Sequence, residues 1–330
     1  MDSKRILIIQ TAFIGDVILA TALLETLFQA YPSAKIDFLL RRGNEGLLAN
    51  HPYLHQVLIW EKKTAKYSSL WKLLKKIRSE KYDLVINLQR FGATGILTGL
   101  SQAPNRIGFN KNPFSFLFSQ AYPHAIEDGV HEIQRNHSLL QGHTPIEPTL
   151  PRLYPSPQDN QKIVKYQSQS YICMAPTSVW FTKQYHQRGW IDLINKCSRY
   201  QIYLLGAPSD TDFCEELIKN ANSSIRIENL SGKLSLLESA ALMKNAVMNY
   251  VNDSAPMHIC SAMRAPVTAI FCSTVPAFGF GPLSPLSHVV QPLEPLACRP
   301  CGLHGHKECP QGHFKCATGI QTNQLLAAIK

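Results

Sequence analysis

No stretch of the 330-residue chain holds the roughly 18 to 20 consecutive apolar residues needed to span a bilayer, which excludes a transmembrane helix. Acidic residues are scarce, 23 against 33 Lys+Arg, so the chain carries a formal net charge of +10. That surplus predicts an anionic partner: nucleic acid, a phosphorylated metabolite or an acidic membrane surface. Charged residues make up only 17% against 45% hydrophobic, enough apolar material to disfavour disorder and coiled coil. The sequence has no Gly-x-Gly-x-x-Gly fingerprint, no phosphate-loop lysine motif and no His-Glu-x-x-His, so nothing marks a dinucleotide enzyme, a P-loop nucleotide hydrolase or a zincin protease. Ile6–Ile9 is broken at once by Gln10 and Thr11, then by Gly15-Asp16. It makes a poor signal-peptide core and a good buried strand. Nine cysteines without a secretory signal point to free thiols in a reducing compartment, and hence to a cytoplasmic protein.

What is present is an alternation of apolar runs with helical periods, the pattern of a parallel sheet with crossover helices. Strands are expected at Ile6–Ile9, Ile36–Leu40, Val57–Trp60 and Leu84–Leu88, with a helix carrying Val17, Ala20, Leu24 and Leu27 after the first. Pro145, Pro148, Pro151, Pro155 and Pro157 then crowd a segment that can be neither helix nor central strand, and it reads as a linker. The pattern restarts with strands at Tyr171–Met174, Ile202–Leu205, Val247–Val251 and Val267–Phe271 and a terminal helix from Gln324. Ser235-x-x-Glu238 is a capping box opening another helix, and Asp253-Ser254 a cap for the next. The expectation is an α/β chain of two open Rossmann-like domains, residues 1–155 and 156–330. Ligands on such sheets bind at the carboxyl ends of the strands.

Three loops follow strands. Gly15-Asp16 is either a turn and helix cap or a carboxylate poised as a general base, which the helix N-terminus would keep ionised. Pro176-Thr177-Ser178, with Trp180 and Lys183, offers hydroxyls and an ammonium to a phosphate. Asn252-Asp253-Ser254-Ala255-Pro256-Met257-His258 places small residues where backbone N–H groups can approach a diphosphate. Asp210-Thr211-Asp212 has the spacing of metal-dependent sugar transferases, yet it sits at a helix start where acidic caps are common. Cys298-x-x-Cys301 with Cys309 and Cys316 could close a tetrahedral structural zinc site within a Cys-rich tail, 298–316; free thiols or partial disulfides are the alternatives. Residues 61–81 hold Lys62, Lys63, Lys66, Lys72, Lys75, Lys76, Arg78 and Lys81 against Glu61 and Glu80. Leu70, Leu73, Leu74 and Ile77 form the apolar stripe of a helix there. Its basic face is either solvated or a contact for an anionic inner-membrane surface.

With these residues in order, the chain resembles the glycosyltransferase family 9 proteins, the ADP-heptose:lipopolysaccharide heptosyltransferases. The resemblance rests on Arg5-Ile6-Leu7-Ile8 leading into Ile14-Gly15-Asp16-Val17, on Tyr82–Gln89 with Asn87 where an aspartate is usual, on Pro176-Thr177-Ser178 with Trp180 and Lys183, on Asn229-Leu230-Ser231-Gly232-Lys233, and on the 252–258 segment. It implies a GT-B fold, two facing Rossmann-like domains with an interdomain cleft, the N-terminal one for the acceptor and the C-terminal one for the nucleotide sugar. It implies inverting, metal-independent transfer of heptose from ADP-heptose to a Kdo-lipid A core acceptor, with no cofactor for catalysis and no nucleic acid. By matching position, Asp16 would be the base. Thr177, Ser178 and Lys183 would hold the diphosphate; Asp253, Ser254 and Ala255 would face diphosphate and sugar, with His258 nearby. Asp210 would meet the ribose and Leu234 the adenosine. Ser254 replaces the usual threonine and Ala255 the usual glycine. The competing readings are a GT-B transferase for another sugar, a nucleotide-sugar epimerase, and a zinc-dependent nucleic-acid-binding protein; the last lacks a dense Lys/Arg run in its tail.

Overall fold

The computed structural model describes residues 4–62, 66–126 and 129–329; Lys63 of the basic run lies outside them. Contacts divide the chain into two units, one ending at Tyr154 and the other beginning at Pro155. The first holds β1 (Arg5–Ile9), β2 (Lys35–Arg41), β3 (Leu54–Trp60), β4 (Leu84–Asn87), β5 (Asn105–Phe109) and β6 (Gln120–Tyr122), with α1 (Ile14–Ala30), α2 (Lys66–Ser79), α3 (Gly92–Gly99) and α4 (Glu132–Ser138). Its sheet runs β3-β2-β1-β4-β5-β6, and every pairing is parallel.

The second unit holds α5 (Pro157–Ile163), β7 (Tyr171–Ala175), α6 (Gln187–Lys196), β8 (Gln201–Leu204), α7 (Thr211–Asn220), β9 (Ile227–Asn229), α8 (Leu236–Lys244), β10 (Asn249–Asn252), α9 (Ala255–Met263), β11 (Val267–Ile270), β12 (Ser287–Val290), α10 (Lys315–Thr318) and α11 (Thr322–Leu326). Its order, β12-β11-β10-β7-β8-β9, is again all parallel and repeats the strand order of the first. In both sheets the order reverses beside the first strand, between β1 and β4 and between β7 and β10. In open sheets of this kind, ligands bind outside the carboxyl ends of the strands at such a reversal.

The central strands read as unbroken apolar runs because helices cover both faces; Ile6 to Ile9 are all 0% exposed. α2 presses Leu70, Leu73, Leu74 and Ile77 onto Leu58 and Trp60 and leaves Tyr67 and Trp71 in solvent. In the second unit Trp190 and Tyr185 pack edge-on within the core over β7 and β8. α1 is more deeply buried than its apolar spacing predicts: every residue from Val17 to Leu27 is covered. The proline-rich segment explains this, since it runs along α1. Thr149 Oγ1 donates to the Ala22 carbonyl at 2.6 Å, Arg152 N to Thr21 Oγ1 at 2.9 Å, and Tyr154 OH to Glu25 at 2.7 Å.

The structure adds four strands that the sequence pattern did not mark, three of them at sheet edges. β5, β6, β9 and β12 are short and carry polar residues or glycine, so no apolar run marks them. The strand expected at Val247–Val251 is shifted to Asn249–Asn252, and the terminal helix starts at Thr322. The Ser235–Glu238 capping box forms, Ser235 Oγ accepting from Glu238 N at 3.1 Å.

One buried carboxylate ties the amino ends of the first sheet together. Asp37 is 0% exposed. It accepts from His55 Nδ1 and Gln56 Nε2, each at 2.8 Å, and from the Tyr82 hydroxyl, with Arg5 at 3.6 Å. Asp37→Leu leaves the buried Tyr82 hydroxyl without its acceptor and removes one partner each from His55 and Gln56, while Arg5 keeps Glu80. Urea unfolding is expected to show a loss of about 3 kcal/mol, as for a buried pair robbed of one partner; a loss below about 1 kcal/mol would show that water replaces the carboxylate.

Candidate active site

In the first unit the loops after β1 and β4 meet across the order reversal. The Gln89 side-chain amide donates to Gln10 Oε1, which also accepts from Ala12 N at 3.2 Å. Asn112, from the loop after β5, donates to the carbonyls of Gln89 at 2.9 Å and Phe91 at 3.1 Å. This network fixes the entry to α1. Asp16 is not the cap of that helix; Phe13 is, and Asp16 stands in the third helical position, half-buried, its carboxylate accepting from Phe13 N at 3.1 Å. A carboxylate in a helix's first turn is stabilised by the helix dipole, which suits a proton acceptor that must stay ionised.

A second carboxylate stands near it. Glu132 opens α4, which packs on α1, and is paired with Arg135 Nε at 2.8 Å. Burial pushes the Glu132 carboxyl up to about 7, Arg135 opposes the rise, and the charge of Asp16 adds to it. Sequence reading missed Glu132, because an isolated glutamate carries no spacing signal.

In the second unit the loops after β7, β10 and β11 converge. Asn252, 0% exposed at the end of β10, donates to the Pro176 carbonyl at 2.9 Å and the Thr177 carbonyl at 3.3 Å, and accepts from Tyr185 N at 2.9 Å. One amide thereby clamps both ends of the loop bearing Thr177, Ser178 and Lys183. Thr177 and Ser178 are half-buried, and the Ser178 carbonyl accepts from Gln184 at 2.8 Å. Lys183 Nζ lies 2.7 Å from Asp253 Oδ2, and Thr274 Oγ1 donates to the same oxygen at 2.6 Å. Asp253 therefore aims the lysine. Ser254 is the N-cap residue of α9, as expected, but its side chain makes no capping bond and instead donates to the Asn252 carbonyl at 3.4 Å. Ala255 is the first residue of α9, and His258 lies buried one turn further on.

Asp210 and Leu234 sit on the neighbouring loops after β8 and β9. Gly232 N donates to the Gly206 carbonyl at 3.0 Å, and a Cβ on Gly232 would stand 2.9 Å from Pro208 Cα. Asp210 accepts from Ala207 N at 2.7 Å, a turn-closing role, and Leu234 is half-buried. Thr274 and Asn252 are the site residues the sequence did not single out. Asn252 lay inside a recognised motif, whereas Thr274 had no signal beyond following a strand.

Of the alternatives open for Cys298, Cys301, Cys309 and Cys316, the structure gives the zinc site no support. All four line one small cavity with His313, and Cys298 Sγ stands 3.8 Å from His313 Nε2. They are free thiols, and among the described residues no group of three or more His, Cys, Asp or Glu is arranged to hold a metal ion.

Glu132 yields a pH prediction. A glutamate whose folded-state pKa is raised favours the fold while protonated, so stability falls as pH rises from about 4.5 to about 7. Glu132→Gln is expected to flatten that fall in denaturation curves between pH 5 and pH 7.5. An unchanged slope would assign the pH dependence elsewhere.

The geometry can be set beside known proteins. Residues 70–310 match the model of glycosyltransferase family 9 (heptosyltransferase). Lipopolysaccharide heptosyltransferase 3 of Escherichia coli K12 is 29% identical over 284 residues, covering 79% of this chain and 80% of that protein. A glycosyltransferase family 9 protein from Veillonella parvula superposes with a TM-score of 0.86 at 21% identity, over 99% of this chain and 96% of that one. The Escherichia coli ADP-heptose lps heptosyltransferase II superposes with a TM-score of 0.81 at 20% identity, over 98% and 97%. The two parallel sheets are those of a GT-B fold, and the chain belongs to glycosyltransferase family 9, the heptosyltransferases, as a transferase enzyme.

Proposed function

We propose that this enzyme transfers heptose from ADP-heptose to the inner core of lipopolysaccharide, with inversion and without a metal. The observation that carries the reading is the Lys183–Asp253–Thr274 cluster at the order reversal of the second sheet, with Asp16 at the matching reversal of the first. The family supplies the donor class, and the lipopolysaccharide heptosyltransferases among its relatives supply the acceptor class.

In this reading an acceptor hydroxyl oxygen attacks the anomeric carbon opposite the diphosphate. The new C–O bond forms as the bond to the leaving phosphate breaks, and the electron pair departs on ADP. Asp16 takes the hydroxyl proton. Negative charge grows on the leaving diphosphate, where the Lys183 ammonium and the positive end of α9 stabilise it; prearranged charge of this kind lowers the barrier without reorganisation. Thr177 and Ser178 add hydroxyl contacts, Asp253, Ser254 and Ala255 border the diphosphate and sugar, and His258 stands behind them. Asp210 and Leu234 border the nucleoside. The positive charge that a divalent ion supplies in other sugar transferases comes here from the lysine.

The acceptor reading extends to α2. No helix among the described residues is long and apolar enough to cross a membrane. α2 shows solvent Tyr67, Trp71, Lys72, Lys75 and Lys76 on the face opposite its buried leucines. An amphipathic basic face with exposed aromatics suits peripheral contact with the anionic cytoplasmic leaflet that presents a lipid-linked acceptor.

Incubation with ADP-heptose and a Kdo-lipid A core acceptor is expected to add the mass of one heptose to the acceptor. Release of an altered free sugar without acceptor would instead mark an epimerase. Asp16→Asn is expected to lower kcat by about 10²–10⁴-fold, the usual contribution of a general base, with ADP affinity unchanged; full turnover would remove Asp16 from that role. Replacing Lys72, Lys75 and Lys76 together by glutamine is expected to weaken sedimentation with anionic vesicles by about 1 kcal/mol per lysine at low salt. Equal binding would leave α2 a solvated helix.

A further inference from the structure

The 298–316 tail touches the lysine loop directly. Thr182, 1% exposed, precedes Lys183 and is tied to the tail backbone. Its N–H donates to the His306 carbonyl at 3.1 Å, and its Oγ1 accepts from His306 N at 2.8 Å. Ser273 Oγ stands 3.1 Å from the same Oγ1. Phe181 stacks on Phe314 with ring centroids 4.8 Å apart.

The tail is in turn fixed to the sheet. The Arg299 guanidinium donates to the carbonyls of Cys272 and Thr274, each at 2.7 Å, and Cys301 N donates to the Ser273 carbonyl at 2.7 Å. The segment that holds Thr274 against Asp253 therefore also holds the tail.

The closest approach is at Gly305. Its φ of +74° lies in the left-handed region, and a Cβ there would stand 2.8 Å from Thr182 Oγ1, 3.0 Å from Lys183 Cγ and 3.1 Å from Ser273 Oγ. Only a residue without a side chain lets the tail close onto the lysine stem. Gly312 has nearly the same φ, +68°, with nothing within 4 Å of its would-be Cβ, so the two glycines separate backbone strain from crowding.

We infer that Gly305 is a positioning residue for the transfer reaction: the tail backbone at Gly305–His306 sets where the Lys183 ammonium stands, making the Cys-rich tail a structural wall of the donor site. The inference rests on Lys183 holding the donor diphosphate.

The test is ADP affinity by calorimetry, with donor and acceptor KM, for the wild type, Lys183→Ala, Gly305→Ala and Gly312→Ala. Gly305→Ala is expected to weaken ADP binding at least tenfold and raise donor KM alike, with acceptor KM unchanged. Gly312→Ala is expected to lower the melting temperature similarly while binding ADP within twofold of wild type. Because both changes act through one ammonium, adding Lys183→Ala to Gly305→Ala costs little more. Should Gly305→Ala fail to fold, Thr182→Ala gives the same reading by losing the bond to His306 N, and Thr182→Ser restores most of the affinity by keeping it. Wild-type ADP affinity in Gly305→Ala, or losses that add fully with Lys183→Ala, would overturn the positioning role. Undiminished ADP affinity in Lys183→Ala itself would overturn the donor reading instead.

Discussion

Parallel pairing is the constraint on which the rest of this molecule depends. Each strand enters its sheet from the same end, so every connection must cross back over a face, and the loops leaving the carboxyl ends gather on one edge. Where the strand order reverses, neighbouring loops diverge and leave room. Both sheets reverse beside their first strand, and the chemically competent residues collect there: Asp16 by β1 and β4, Lys183 and Asp253 by β7 and β10. The helices that cover the faces provide the apolar burial, and the edge carries the chemistry.

That edge is held by uncharged amides more than by ion pairs. Asn252 clamps the donor loop through two carbonyls and an N–H, and Gln10, Gln89 and Asn112 do the same for the loops of the first unit. An uncharged amide hydrogen-bonded to a loop holds it without placing a charge beside it. The charges that are present are arranged in opposition. Asp253 orients Lys183 at 2.7 Å, and Arg135 partly offsets the burial of Glu132. The lysine is thereby held in place by a carboxylate partner.

Much of this was legible in the sequence where the signal is local. Continuous apolar runs marked the central strands, the Ser235–Glu238 spacing marked its helix start, and the stripe of Leu70, Leu73, Leu74 and Ile77 marked the buried face of α2. Asp16, Lys183 and Asp253 were singled out because they lie on loops after strongly marked strands. Edge strands β6, β9 and β12, and β5 beside β6, escaped because strands of three to five residues carrying polar residues or glycine show no apolar run. For the cysteines, spacing left a closed metal site and free thiols both open; the folded tail brings the thiols to one cavity in no arrangement recognised as holding an ion.

The sequence by itself determined the α/β class, the restart of the pattern after the proline-rich segment, the family, and which side chains have the chemistry for proton and phosphate. Those properties follow from hydrophobic periodicity and from residue type, both of which are local. Tertiary structure alone decided that Asp253 aims Lys183, that Thr274 and Asn252 hold that pair and its loop, that the charge of Asp16 reaches Glu132, and that a tail more than 100 residues downstream closes on the lysine stem. Each of these is a contact between residues far apart in the chain, and its existence depends on sheet order and loop closure, which no local pattern encodes.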